Sequence, residues 1–454
     1  MTSEASSESE SAPDAVALSS PALSCPPGRQ LQVLARPCPP VRFRVMSLHR
    51  RRTRQRSWPR RCVALGILAL VMVMGIATGS FYLRETDLAA SSDATTSLPV
   101  AQCIVSPPAG WSSPYTLPAR DGASMAYDSA LGEIVLFGGY TGAAFLGDTW
   151  TFKGGCWTEY ESAAATAGQC TLISTGATVS CPAPSTQGAM AYDPSTPALI
   201  LFPGDIGGTL SQQTWEFTSS GWSELTCTAA TCPPAQFGPS MATDPLDNQA
   251  LLIDGCLAVN GRGTCTTTDG ALWAFHSGAW TQLCSGSTTA PACSPEPAAR
   301  FDASLTYDSH DLRVVLFGGT TLSTTQGDTW EVHGSTPGAG VSWVEICTGT
   351  ATAPTCSPEP SARFAAYSSD EQKDGYVLMY GGYTTADQGD TWEFSGTTPG
   401  AGWTQCTSCS GPGTRDTGAG NGMMTYDYAT GDSYAVLFGG ESGTSYLSDT
   451  WIFE

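Results

Sequence analysis

The chain has 454 residues, including 50 glycines and 31 prolines, and only 13% of its residues are charged. That composition is typical of many short strands joined by turns, and it excludes a mainly helical protein. From residue 84 onwards, nine basic residues stand against 37 acidic ones, a net charge of −28. Such an excess of negative charge argues against binding to nucleic acid or to anionic lipid.

The N-terminal part of the chain predicts a membrane anchor. Residues 62–83 carry no charge, and a helix of that length would reach roughly 33 Å, enough to cross a bilayer core of about 30 Å. Eleven basic residues lie within 1–61, so the positive-inside bias places this disordered tail in the cytoplasm. A short tether, 84–100, then leads outside. The alternative is a cleaved signal peptide and a secreted protein, and both interpretations export residues 101–454.

A repeated unit occupies the exported region. Its first copy reads Met-Ala-Tyr-Asp at 125–128, Ile-Val-Leu-Phe-Gly-Gly at 134–139 and Asp-Thr-Trp at 148–150, and a second tryptophan follows at 157. Five further copies keep this order, and we align them on Tyr192, Thr243, Tyr307, Tyr367 and Tyr426. Self-similarity at this spacing is typical of a propeller in which each copy forms one blade.

The repeat also predicts how the blades fit together. The apolar run 134–137 is expected to be an inner strand buried between neighbouring blades, and the diglycine after it permits a sharp turn. The two tryptophans of each copy are expected to pack between blades. The sixth copy ends without its second tryptophan, but Trp111 has the spacing of the missing outermost strand. The N-terminal strand is therefore expected to complete the last blade and close the ring.

These residues resemble the Kelch repeat family, in which a Gly-Gly pair ends the second strand and a tryptophan lies on the fourth. The resemblance covers residues 110–454, and two copies depart from it, with Pro203-Gly204 and Asp254-Gly255 in place of the diglycine. It implies an all-β fold of six four-stranded blades around a central channel. It implies nothing definite about activity, since propellers host unrelated functions.

The cysteines predict disulfides rather than a metal site. Fourteen of the 17 follow the apolar segment, and an even number in an exported domain indicates seven disulfides that pin loops. The close pairs are Cys170 with Cys181, Cys227 with Cys232, Cys256 with Cys265, Cys284 with Cys293, Cys347 with Cys356, and Cys406 with Cys409; Cys103 and Cys156 remain. Only Cys406 and Cys409 have a two-residue gap, and one such gap is a weak zinc signal.

No catalytic motif is evident, and no cofactor or metal is expected. The exported histidines His276, His310 and His333 occupy different places in their repeats and are not expected to converge. The aspartates that recur once per blade look like turn or hydrogen-bond anchors rather than paired catalytic carboxylates. They are Asp148, Asp328, Asp390 and Asp449.

One basic pattern predicts a binding site. Arg120, Arg300, Arg363 and Arg415 occupy the same position, just before the first strand of their blades, whereas Gln187 and Gln236 stand in the second and third blades. In Kelch propellers that this chain resembles, arginines at this position ring one mouth of the channel and can hold acidic ligands. The other interpretation is that they brace loop carbonyls between blades.

Together these features predict a surface-displayed binding or structural module for a protein or glycan partner. Its location would be the plasma membrane, crossed by one helix, with the propeller extracellular. An alternative is an enzyme that acts on anionic glycans at the propeller mouth and uses the arginines with loop carboxylates.

Overall fold

A computed structural model describes residues 102–103 and 117–453, except for short gaps at 164–167, 229–230, 261–263, 288–290, 292, 335–340, 351–355, 397–401, 410, 419–421 and 429–432. These residues form an all-β propeller of six blades, with no helix among them. The predicted tail, membrane helix and tether lie outside the described residues, as does Trp111. Nothing in the described part of the chain is a helix long and apolar enough to span a bilayer.

In the first three blades the strands follow one another from the channel outwards. Blade 1 consists of β2 (Ser124–Asp128), β3 (Glu133–Phe137), β4 (Thr149–Lys153) and β5 (Cys156–Ala163), and its outer strand also pairs with β1 (Gln102–Cys103) and with the hairpin of β6 (Gln169–Leu172) and β7 (Thr178–Ser180). Blade 2 consists of β8 (Ala189–Asp193), β9 (Ala198–Phe202), β10 (Thr214–Thr218) and β11 (Gly221–Leu225). Blade 3 consists of β12 (Ser240–Asp244), β13 (Gln249–Ile253), β16 (Leu272–His276) and β17 (Ala279–Cys284), with a hairpin of β14 (Cys256–Val259) and β15 (Cys265–Thr268) inserted.

The last three blades repeat the same antiparallel order. Blade 4 consists of β18 (Ser304–Asp308), β19 (Arg313–Phe317), β20 (Thr329–His333) and β21 (Ser342–Cys347). Blade 5 consists of β22 (Tyr367–Glu371), β23 (Tyr376–Tyr380), β24 (Thr391–Ser395) and β25 (Gly402–Gln405). In blade 6 the described strands are β26 (Met424–Asp427), β27 (Tyr434–Ser442) and β28 (Ser445–Phe453). The innermost strands β2, β8, β12, β18, β22 and β26 are neighbours in a closed circle.

The second strand of each blade is apolar on both faces because it lies between two other blades. In β3, Ile134 and Leu136 pack in the cluster shared with blade 6, whereas Val135 and Phe137 pack in the cluster shared with blade 2. All four side chains are at most 1% exposed. Burying a side chain of this size contributes about 1.5–3 kcal/mol. The predicted inner strand is thus confirmed, and it stands second from the channel.

The diglycine lets one blade approach the next closely. Gly138 and Gly139 have φ of 72° and 105°, in the region that favours glycine. A Cβ atom on Gly138 would lie 2.6 Å from the carbonyl oxygen of Ser185 in blade 2. The Gly139 N–H donates to that same oxygen at 2.8 Å. The glycines therefore allow a main-chain hydrogen bond between blades 1 and 2 at a distance where a Cβ atom on Gly138 would crowd the accepting oxygen.

A circle of main-chain hydrogen bonds, which we call the backbone belt, joins all six blades. Each of its residues donates its N–H to the carbonyl of the preceding belt residue, at 2.7–3.0 Å, and the first donates to the last. The members are Gly122, Gln187, Gly238, Asp302, Ala365 and Thr417. The bond from Gly122 to Thr417 joins blade 1 to blade 6 at 2.7 Å. The ring is therefore closed within the described residues, independently of Trp111.

The outer tryptophans contribute a second set of bonds between blades. The indole N–H of Trp222 donates to Thr149 Oγ1 of blade 1 at 2.9 Å, and its ring packs on Phe137 at a centroid distance of 5.3 Å. The same 2.9 Å bond recurs from Trp157 to Thr450, from Trp280 to Thr214 and from Trp403 to Thr329. In blades 1, 2 and 5 the second tryptophan also packs against the phenylalanine that precedes the diglycine of the preceding blade.

Candidate functional site

The four arginines singled out in the sequence are buried and do not converge. Their exposed fractions are 0 to 2%, and each guanidinium lies within its own blade. In blade 1, Arg120 donates from both terminal nitrogens to Asp148, at 2.7 and 2.8 Å, and to the carbonyl of Gly138 at 2.8 Å. Trp150 donates its indole N–H to the same carboxylate at 2.7 Å. We call this group of arginine, aspartate and tryptophan the clamp.

The clamp recurs with little variation in three other blades. The distances from the arginine to the two carboxylate oxygens are 2.6–2.9 Å throughout. Its members are Arg300 with Asp328 and Trp330, Arg363 with Asp390 and Trp392, and Arg415 with Asp449 and Trp451. The recurring aspartates are hydrogen-bond anchors, as predicted, and their partners are these side chains. Ligand binding by the arginines stays a prediction, and it would require opening a bidentate ion pair.

Electrostatics within the clamp favour the ionised aspartate. Burial raises the pKa of Asp148, but the charge and hydrogen bonds of Arg120 and the Trp150 indole lower it by more, so the net shift is downward. Asp390 and Asp449 behave in the same way beside Arg363 and Arg415. In each clamp the arginine and the aspartate compensate each other's charge. Removing either side chain would leave the other charge without compensation, which is strongly destabilising for a buried pair.

Blades 2 and 3 replace the clamp, and the structure corrects one assignment there. The main-chain oxygen that meets the diglycine of blade 1 belongs to Ser185, so Ser185 and not Gln187 takes the arginine position of blade 2. Gln187 is instead a member of the backbone belt, with φ of 58°. Gln213 takes the aspartate position and accepts the Trp215 indole N–H at 3.5 Å. In blade 3, Gln236 is buried at the arginine position.

Six of the predicted disulfides are present in the structure. They join Cys170 to Cys181, Cys227 to Cys232, Cys256 to Cys265, Cys284 to Cys293, Cys347 to Cys356 and Cys406 to Cys409. Cys156 is also disulfide-bonded, and in the backbone register it stands opposite Cys103. Abundant disulfides indicate an oxidising compartment.

Metal binding finds little support among the described residues. Two groups of potential ligand atoms lie close together, Cys347, Cys356 and Glu359, and Glu393, Cys406 and Cys409. In each group both cysteines form a disulfide, so neither offers a thiolate. The three histidines each bond a different neighbour: His276 bonds the carbonyl of Asn248, His310 bonds Asp311 and His333 bonds Glu331.

The channel contains a concave site that all six blades line. A cavity of about 340 Å³ lies among the innermost strands of all six blades, between the backbone belt and the turns that follow those strands. Its deeper wall is apolar, with Met125, Met190, Met241, Leu305 and Met424 each at most 5% exposed. Ligand sites are typically about 300–1,000 Å³ and mostly apolar, with a few placed polar groups. We call this the channel cavity.

Five tyrosines line the channel cavity towards the turns: Tyr127, Tyr192, Tyr307, Tyr426 and Tyr428. The ring of Tyr428 meets those of Tyr127 and Tyr426 at centroid distances of 5.0 and 4.9 Å, with interplanar angles of 60° and 69°. Burial, followed by the negative charges of Asp244, Asp370 and Asp308, raises the pKa of Tyr307 to about 12. The Tyr307 hydroxyl is therefore neutral at physiological pH and keeps its proton for hydrogen bonding.

Blade 5 breaks the pattern of the innermost strands. Its strand pairs Tyr367 with Tyr380, the position that Ser124 and Phe137 hold in blade 1. Tyr367 is therefore not the counterpart of Tyr127, as the sequence alignment assumed, and Asp370 holds that place. Ser368 and Ser369 precede it where blade 1 has Met125 and Ala126. The sequence signal for this site was present, because no other copy has three consecutive polar residues there.

Asp370 is the one carboxylate among the residues that line the channel cavity, and the lining includes no basic side chain. It is 5% exposed and accepts hydrogen bonds from the Ser309 N–H at 3.2 Å, the Ser309 hydroxyl at 2.9 Å and the Tyr428 hydroxyl at 3.2 Å. Burial raises its pKa to about 6, against the lowering effect of those bonds. Thr306 and Ser368 hydrogen-bond to each other beside it. The site thus offers one acceptor charge, several hydroxyls and aromatic surface.

Comparison of the chain with known proteins matches no protein-family model and no curated protein. The class of protein is therefore set by the fold alone: a six-bladed β-propeller stapled by disulfides. That architecture is often a scaffold for binding, and the chemistry has to be argued from the site.

Proposed function

We propose that this protein is an exported, membrane-anchored propeller of the Kelch type that binds a protein or glycan partner at the cell surface. The single observation that carries the binding role is the channel cavity, whose tyrosine-lined mouth and lone buried aspartate differ from the repeating interior. A polar substitution inside an apolar channel costs stability, so its presence points to a task other than folding.

Several features support the finer parts of this proposal. The diglycine follows the second strand and Trp157 lies on the fourth strand of blade 1, which is the arrangement that the Kelch resemblance implies. The disulfides support export. The apolar segment at 62–83 supports the anchor. The lining of the channel cavity favours a glycan or a short peptide over an anionic ligand, because Asp370 would repel an acid and the arginines are occupied by aspartates.

The test is a binding screen with the purified full-length chain in mild detergent. Panels of neutral oligosaccharides and of surface proteins are immobilised, and each hit is measured again with Tyr307→Ala and Asp370→Ala. We expect either substitution to lower affinity about tenfold or more, since it removes contact surface or a charged acceptor from the mouth.

The matched control is Tyr160→Ala, which removes a half-buried tyrosine from outer strand β5, far from the channel by strand order. It is expected to leave every affinity unchanged. Hits that bind equally well to the wild type and to both cavity variants would show that the channel cavity is not the binding site.

A further inference from the structure

The chemistry of the channel cavity narrows the ligand class, an inference that rests on the proposed function. Its polar lining contains hydroxyls and one carboxylate, without a basic side chain among the described residues. The chain from residue 84 onwards also carries a net charge of −28. An anionic ligand would meet repulsion from both, whereas a cation gains attraction from both.

Aromatic rings supply the second element of cation recognition. The face of a tyrosine ring carries partial negative charge and attracts a cation within about 6 Å of its centroid. Because the Tyr127 and Tyr426 rings are inclined to that of Tyr428 by 60° and 69°, these rings do not form one flat stack. Tyr426 is only 1% exposed, whereas Tyr127 and Tyr428 are half-buried. The accessible contacts to a rounded cation at this wall therefore come from the inclined rings of Tyr127 and Tyr428.

Asp370 supplies the third element. It is buried, fixed by Ser309 and Tyr428, and belongs to the same wall as Tyr307 and Tyr428. A carboxylate held among tyrosines provides the counter-charge, while the methionines and Leu305 behind it provide a deformable apolar surface for methyl or methylene groups.

A metal ion fits this wall poorly. The groups of side chains in the described residues that bring three ligand atoms together lie elsewhere, and Asp370 is a member of neither. Calcium and magnesium need several oxygen ligands around one point, usually including more than one carboxylate. A single carboxylate among aromatic rings suits a large, weakly hydrated organic cation instead.

We propose that the channel cavity binds an alkylammonium group, with Asp370 as the counter-ion and the tyrosines of the mouth as its aromatic contacts. The group would bind towards the turns, where the tyrosines and Asp370 line the cavity. The recognised unit of a partner is then a positively charged head on an otherwise neutral ligand.

Choline is the probe, and 3,3-dimethylbutan-1-ol is its control, because the alcohol has the same shape with carbon in place of the charged nitrogen. Titration calorimetry with the full-length chain is expected to show choline binding at least tenfold tighter than the alcohol. Asp370→Asn, which keeps the shape and removes the charge, is expected to lower choline affinity about tenfold or more. Asp374→Asn is the matched control, since Asp374 is an exposed acid of the same blade outside the cavity lining.

A pH series on the wild type tests the same point without any substitution. Choline keeps its charge at every pH, and the groups that face Asp370 are Ser309, Tyr428, Tyr307 and Asp308. Because burial raises the pKa of Asp370 to about 6, its charge is present at pH 7.5 and largely lost at pH 5. Choline affinity should therefore fall severalfold as the pH is lowered through this window.

Equal affinity for choline and the alcohol would overturn the proposal, as would an equal loss in Asp370→Asn and Asp374→Asn. Absence of choline binding up to about 10 mM would also overturn it. The broader function fails separately: if an oligosaccharide or protein hit depends on Tyr307 while choline does not bind, the binding module stands and only the cationic ligand is wrong.

Discussion

The propeller divides into two arcs that differ in the side chains at the clamp positions. Blades 4, 5, 6 and 1, which are consecutive around the ring, each carry the clamp, whereas blades 2 and 3 do not. We call these the clamped arc and the unclamped arc. Both arcs have the same strand pairing and contribute to the backbone belt. In both arcs an outer tryptophan also donates to a threonine of the preceding blade, as seen in blades 1, 2, 3 and 5.

The difference shows what the clamp does. Blade 2 places Ser185 and Gln213 where other blades have arginine and aspartate, and it keeps the same fold. In blade 3, the indole N–H of Trp273 and the Gln236 amide are buried without a hydrogen-bond partner among the described residues. The clamp is therefore not required to form a blade. It satisfies buried polar groups at the loop end, and in blade 3 its absence leaves polar groups without a partner among the described residues.

Breaking one clamp gives the largest expected effect. Arg300→Met leaves the Asp328 carboxylate nearly buried without its cation, so we expect the free energy of unfolding to fall by about 3–5 kcal/mol. Urea denaturation followed by tryptophan fluorescence measures this change. The double variant Arg300→Ser with Asp328→Gln copies blade 2 and should recover most of the loss. A double variant as unstable as Arg300→Met would show that blade 4 needs the ion pair itself.

Asp254 is the weak point of the unclamped arc. It replaces the first glycine of the diglycine, has φ of 63°, and is 1% exposed with Oδ2 unpartnered among the described residues. Burial raises its pKa well above the usual value, although Arg300 opposes the shift. Asp254→Gly should therefore raise the free energy of unfolding by about 2 kcal/mol at pH 8, since it removes both the strain and the buried carboxyl.

The raised pKa of Asp254 also fixes how its contribution to the free energy of unfolding changes with pH. A carboxyl whose folded pKa is raised holds its proton more tightly in the folded state, so its contribution is most favourable below the unfolded pKa and is lost as pH rises. The stabilising effect of Asp254→Gly should be small at pH 3.5 and grow towards pH 8. An effect that is constant with pH would leave only the backbone strain as its cause.

If the segment around Trp111 completes blade 6, its removal should cost less stability than breaking a clamp. Thr391 Oγ1 of blade 5 is buried without a hydrogen-bond partner among the described residues, whereas the equivalent Thr329 accepts the Trp403 indole N–H. If Trp111 serves blade 6, Trp111→Phe and Trp403→Phe should each lower the free energy of unfolding by about 1–2 kcal/mol. Denaturation of the two variants side by side is the measurement. A harmless Trp111→Phe beside a damaging Trp403→Phe would contradict closure by this segment.

Installing a clamp in blade 3 has the smallest expected effect. The pair Gln236→Arg and Ala271→Asp places the two charges at the clamp positions and gives Trp273 an acceptor. Because the cost of burying two charges nearly offsets their attraction, we expect a gain of about 1 kcal/mol or less in thermal or urea denaturation. Ala271→Asp alone should destabilise, since its carboxylate would lack the arginine.

The number of blades and the burial of the apolar strands could be predicted because each copy has the same order of apolar run, turn and tryptophans. The direction of the arginines was harder to see, since a residue position does not show where a guanidinium points. A signal existed nevertheless: arginine and aspartate are both present in four copies and both lacking in the other two. That joint occurrence indicates a pair.

The channel cavity was missed for a different reason. The fifth copy was aligned on Tyr367, which lies three residues before the true counterpart of Tyr127. That counterpart is Asp370, so the alignment concealed the replacement of a tyrosine by an aspartate. Alignment from the diglycine backwards through the strand pairing would have exposed it. The backbone belt leaves no comparable trace, since its bonds are made by main-chain atoms of chemically unlike residues.

The disulfides bear on how the molecule withstands digestion by proteases. Cys284–Cys293 and Cys347–Cys356 each enclose a loop that follows the outer strand of one blade and leads to the next. Loops of this kind are the usual sites of proteolytic cleavage. A cut inside either one leaves the two ends covalently joined, so adjacent blades cannot separate. The ring can thus lose chain continuity at these points and still hold its shape.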